Sequence, residues 1–104
     1  MEKYSTDDIY IGTELKYLVE VSAVGFSMDK DRFTVDIMRG PNVIHFEKED
    51  MELDINGNWY VCFDSLALGT GIVSAKITAY IPDTDYPDNL RTEVKRIQLI
   101  QIKP

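Results

Sequence analysis

Asp83, Asp85 and Asp88 lie within six positions of one another on a segment braced by Pro82 and Pro87, a set of oxygen ligands that could hold a cation. Hard cations such as calcium are held by oxygens gathered in this way. Tyr86, between them, would offer an aromatic face to a sugar ring. The competing reading is turn chemistry, since aspartate is a common turn residue and no glutamate or glycine stands at calcium-loop spacing. The identity of any metal is therefore unknown from sequence. If every connection reverses the chain, this loop falls at the same end as Asn56 and the Gly40-Pro41-Asn42 turn. The same count sends Asp29 and Asp31 to the opposite end.

Cys62 and His45 are the only thiol and imidazole, and nucleophilic catalysis would need them within hydrogen-bonding reach, with a third group to orient the base. Cys62 lies in an apolar run where cysteine serves as a small hydrophobe, and His45 falls on a solvated face, so no catalytic residue is expected. No Gly-x-Ser-x-Gly elbow, phosphate-binding loop or zinc-spaced ligand set occurs, and no cofactor is expected. Tyr60 and Tyr80 project outward from their strands and, with Tyr86, could stack on sugars or anchor a protein. Leu18, Tyr60 and Cys62 together would make an exposed apolar patch of the kind that partners cover. Glu47, Glu49, Asp50, Glu52 and Asp54 read as a solvated acidic face.

These residues need a scaffold, and period-two alternation supplies it. Leu15, Tyr17, Val19 and Val21 alternate with polar residues, Leu18 being the exception. Phe33, Val35 and Ile37 form a second inward row, Ile44 and Phe46 a third, and Met51, Leu53 and Ile55 a fourth along Glu47–Asp54. Asn56-Gly57 is a tight-turn signal before the apolar run Trp59–Phe63. A two-residue loop there would pair Leu53 with Tyr60; a three-residue loop with Gly57 at positive φ would pair Leu53 with Trp59. The second is favoured, because Trp59, Val61 and Phe63 make the larger apolar face. Val73 to Ile81 is the longest clean alternation. The last strand, Thr92 to Ile102, breaks parity between Val94, Ile97 and Ile100, which predicts a bulge or a change of sheet.

Seven strands at intervals of roughly ten residues, without helical periodicity, predict an all-β fold: a seven-stranded antiparallel immunoglobulin-like β-sandwich, with a small β-barrel as the alternative. Residues 14–104 form the single domain, and residues 1–13 are a leader, either flexible or an edge strand. Eighteen acidic against eleven basic residues give a charge of −7, which disfavours nucleic acid and anionic membranes as partners. One cysteine permits no internal disulfide, and no export signal or membrane-spanning run is expected, so the chain reads as made in the cytoplasm.

The order of features resembles small immunoglobulin-like domains of tailed-phage and prophage virion proteins, notably the N-terminal domain of baseplate upper proteins. The similarity lies in an opening alternating strand and a polar loop into Asp31-Arg32-Phe33-Thr34-Val35-Asp36-Ile37. It continues in an acidic strand into Asp54-Ile55-Asn56-Gly57-Asn58-Trp59-Tyr60-Val61 and a Gly71-led strand before the last. The resemblance implies a structural, non-enzymatic role with protein partners in a larger assembly, incorporation into a phage particle included. A homo-oligomer stays open. The rival expectation is a small carbohydrate- or calcium-binding sandwich using the Asp83–Asp88 loop and nearby tyrosines.

Overall fold

The computed structural model describes residues 8–104. The alternating segments become strands β1 (Asp8–Tyr10), β2 (Glu14–Val19), β3 (Phe33–Arg39), β4 (Asn42–Phe46), β5 (Glu52–Leu53), β6 (Trp59–Asp64), β7 (Gly71–Pro82) and β8 (Leu90–Lys103). They form two separate sheets, β1-β8-β7-β3-β4 and β2-β6-β5, so the barrel alternative falls. Neighbours are antiparallel except β1, which runs parallel to β8. The strand beyond the seven expected is β1, from the 1–13 segment read as leader or edge strand, of which Met1–Asp7 lie outside the described residues. Helical structure among the described residues is limited to three single 3-10 turns.

The core lies between the sheets. Phe33, Val35 and Ile37 of β3 and Val73, Ala75, Ala79 and Ile81 of β7 are buried, facing Val19 of β2 and Val61 of β6. Trp59 and Phe63 flank Val61 at the margin, half-buried, and Trp59 meets Phe33 edge-on at 5.7 Å. The parity break in β8 is a bulge at Leu99: Val73 pairs with Ile100 but Ser74 with Gln98, returning Ile100 and Ile102 to the inner face. Leu68, in a segment that reads as a plain loop, is fully buried, and its carbonyl accepts from Arg39 Nε and Asn42 Nδ2, both at 2.8 Å. Gly69 and Gly71 leave room for that arginine, since a Cβ on either would come within 3 Å of it.

The central hairpin takes the three-residue loop. Leu53 pairs with Trp59, Gly57 has φ +84°, and Gly57 N–H donates to Asp54 O at 3.1 Å. Asp54 Oδ1 accepts from the amides of Asn56 and Asn58, each at 2.9 Å, an aspartate closing its own turn. The strand before it differs from expectation. Lys48–Asp50 is a 3-10 turn, β5 keeps two residues, Met51 is buried, and Leu53 and Ile55 are exposed. Charge density at Glu47–Asp54 favours a turn with reciprocal capping between Glu47 and Asp50 over a paired strand.

That short strand also overturns the count of ends. Phe33 against Trp59 at one end, and Arg39 on the Leu68 carbonyl at the other, set β3 and β6 running alike, so their antiparallel neighbours β4 and β5 point the same way and the connection between them does not reverse the chain. The Asp83–Asp88 loop shares its end with Asn56-Gly57, as expected. It also shares it with the Asp29–Asp31 loop, whereas Gly40-Pro41-Asn42 lies at the other end. Arg91 Nη2 donating to Val24 O at 2.8 Å ties the 20–32 segment to this end.

Candidate functional site

In the Asp83–Asp88 loop the aspartates shape the backbone. Asp83 N–H donates to Asn89 O at 2.9 Å, and Asp88 and Asn89 both adopt left-handed φ, +61° and +57°. Asp83 Oδ1 accepts from Asp85 N–H and its Oδ2 from Arg91 Nε, each at 3.0 Å. Arg91 also binds Glu93, so the one half-buried carboxylate of the loop is already neutralised. Among the described residues no three His, Cys, Asp or Glu side chains converge to hold a metal. Tyr86 is exposed.

The structure does not bring the predicted tyrosines together. Tyr60 lies on the outer face of the three-stranded sheet, with Lys16 Nζ 4.5 Å from its ring centroid and its hydroxyl 3.3 Å from Asp54 Oδ2. Burial and that carboxylate raise its pKa. Tyr80 lies on the outer face of the five-stranded sheet, capped by the Arg32 guanidinium at 4.4 Å. The two faces point away from each other across the sandwich. Cys62 and His45 are separated in the same way, which removes a thiol–imidazole pair.

Sequence reasoning missed the charged network beside Tyr80. Gly40-Pro41 closes β3 onto β4 so that Asp36 faces His45, a pairing that follows from the two-residue loop. His45 Nδ1 lies 2.6 Å from Asp36 Oδ1, and its Nε2 lies 2.8 Å from Glu47 Oε2. Arg32 completes the row with a two-point contact to Glu47, Nε to Oε1 at 3.1 Å and Nη2 to Oε2 at 2.9 Å. Hydrogen bonds from Arg32 and then His45 lower the Glu47 pKa to about 2. Glu47 and then Asp36 raise that of His45. With both ring nitrogens engaged, the imidazole has no free lone pair to offer a substrate. Its role is to pin edge strand β4.

A second missed feature is Lys48. Its ammonium donates to the carbonyls of Met28 at 2.6 Å, Asp31 at 3.1 Å and Asp29 at 3.2 Å. It also stands over the rings of Trp59, at 5.0 Å, and Phe33, at 5.4 Å. The lysine fills a carbonyl cage and fixes the 28–31 loop over the core.

The surface best suited to recognition is the far edge of β8. β1 covers β8 only at Gln101–Lys103, and among the described residues nothing pairs with Leu90–Ile100 on the side away from β7. Leu90, Val94 and Ile97 there are 45%, 54% and 47% exposed. An uncovered strand of this length is a template for another strand. Inside the same edge, Val21, Ile77, Ala79 and Ile97 line an open apolar cleft where the three-stranded sheet fails to reach over β8. No family model, curated protein or solved structure matches this chain.

Proposed function

We propose that this chain is a non-enzymatic protein-interaction module of immunoglobulin-like type, serving as a structural component of a larger assembly such as the baseplate or tail of a phage or prophage virion. The observation that carries the interaction reading is the β8 edge, unpaired from Leu90 to Ile100 among the described residues, with Leu90 and Val94 exposed on its outer face and Ile97 on its inner face. The strand order supports the immunoglobulin-like part. Immunoglobulin domains keep their second, fifth and fourth core strands on one sheet and oppose them with a sheet built on the third, sixth and seventh. Here β2, β6 and β5 correspond to the former, and β3, β7 and β8, with β4 at the edge, to the latter. The virion setting rests on the resemblance carried by Asp31–Ile37 and Asp54–Val61.

Titration with millimolar calcium and a glycan panel, followed by amide chemical shifts, tests the reading against its rival. The expected result is no localised response in either the wild type or Asp85→Ala. Saturable shifts in residues 83–89 that vanish in Asp85→Ala would favour the ligand-binding alternative. Tail or capsid genes beside this one would support the virion setting.

A further inference from the structure

Resting on the interaction reading above, we infer that the occupant of the β8 edge is a second copy of β8, paired antiparallel about a two-fold axis at Val94. A two-fold axis perpendicular to the sheet keeps inner residues opposite inner residues, so a symmetric register must be centred on a single residue. β8 reads Leu90-Arg91-Thr92-Glu93-Val94-Lys95-Arg96-Ile97-Gln98 up to its bulge. Centred on Val94, Glu93 faces Lys95 of the second copy and Lys95 faces its Glu93. Val94 meets Val94, Arg91 meets Ile97, and Leu90 meets Gln98. The two Glu93–Lys95 pairs and Val94–Val94 stabilise such a ladder, while Thr92–Arg96, Arg91–Ile97 and Leu90–Gln98 are neutral in it.

Neighbouring registers do worse. Centring on Glu93 or on Lys95 sets like charges against each other on the axis. Centring on Thr92 matches Arg91 with Glu93 but spans only Leu90–Val94, and it draws on an arginine already held by Asp83, Glu93 and the Val24 carbonyl. Lys95, in contrast, makes no salt bridge among the described residues, and the Glu93 it would meet shares its carboxylate with Arg91. Charges on an edge strand ordinarily repel other strands. The order Glu93-Val94-Lys95 removes that repulsion for one partner, a copy of itself. The product is a continuous sheet through two sandwiches, eight strands across in the order β4-β3-β7-β8-β8-β7-β3-β4, with β1 sharing the β8 edge at Gln101–Lys103. A nine-residue edge is a small interface, so association belongs at micromolar concentrations or above.

The test is sedimentation of the full chain over a range of concentrations, starting from the monomer mass of 11.9 kDa. The wild type should move toward twice that mass as concentration rises. Lys95→Glu and Glu93→Lys alone should each weaken association by about tenfold, because two attractive pairs become repulsive. Mixing these two variants should restore it as a heterodimer, and the double variant should recover self-association. A wild type that stays monomeric, a dimer indifferent to Lys95→Glu, or a mixture that fails to associate would each overturn the inference. None of these outcomes bears on the calcium and glycan titration, so the two readings fail separately.

Discussion

His45 has a carboxylate on each ring nitrogen, and only the doubly protonated imidazolium can donate to both. Its pKa stands above the ordinary 6.5, so its stabilisation is complete below that pH and fades as pH rises through the raised value. Glu47 drops from 4.5 to about 2, so its share is complete above 4.5 and fades toward pH 2. The network is therefore fully formed between 4.5 and 6.5. Thermal unfolding against pH should show His45→Gln losing stability relative to wild type in that window, with the gap closing on the alkaline side. Lys48→Met should cost about 1–3 kcal/mol in urea, the penalty for three carbonyls left without their donor. Trp59 carries a buried indole N–H without a partner. Trp59→Phe should accordingly cost about 1 kcal/mol or less, far below the roughly 3–5 kcal/mol of Phe33→Ala at the centre of the core. At this scale the inward rows were legible because alternation reports faces directly. The Lys48 cage was not, because it joins residues twenty positions apart through backbone oxygens that carry no sequence signature.

At the level of elements, the Asp54–Asn58 hairpin shows how turn chemistry sets register. Glycine alone takes φ +84° without penalty, and nothing lies within 4 Å of where its Cβ would be. Gly57→Ala should therefore cost about 1–2 kcal/mol through backbone strain alone, seen as a lower urea midpoint at unchanged slope. Leu53 facing Trp59 and the bulge at Leu99 were both readable, one from Gly57 and the size of the Trp59 face, the other from the parity break in β8. The direction of β5 was not. Alternation in Met51, Leu53 and Ile55 looked like a full strand, yet the capped turn at Lys48–Asp50 won the segment and inverted every end assigned through it.

For the whole molecule, the consequence of a five-stranded sheet over a three-stranded one is asymmetry. Among the described residues the sandwich is left open along the β2 and β8 side. The residues singled out from sequence as a binding set, Tyr60, Tyr80, Asp83, Asp85, Tyr86 and Asp88, do not form a common surface. The tyrosines of β6 and β7 are capped by cations on opposite faces, and Asp83 is spent on Arg91. What the sequence concealed is the β8 edge, unpaired along Leu90–Ile100 among the described residues, since an unpaired edge is a property of topology and no local pattern announces it. Amide hydrogen exchange on the dilute monomer examines that edge directly. Every second amide from Leu90 to Gln98, before the bulge, points away from β7 and should exchange fast, while the intervening amides, bonded to β7, stay protected. Uniform protection along Leu90–Gln98 in the dilute monomer would mean the edge is already covered, contradicting its role as the docking strand.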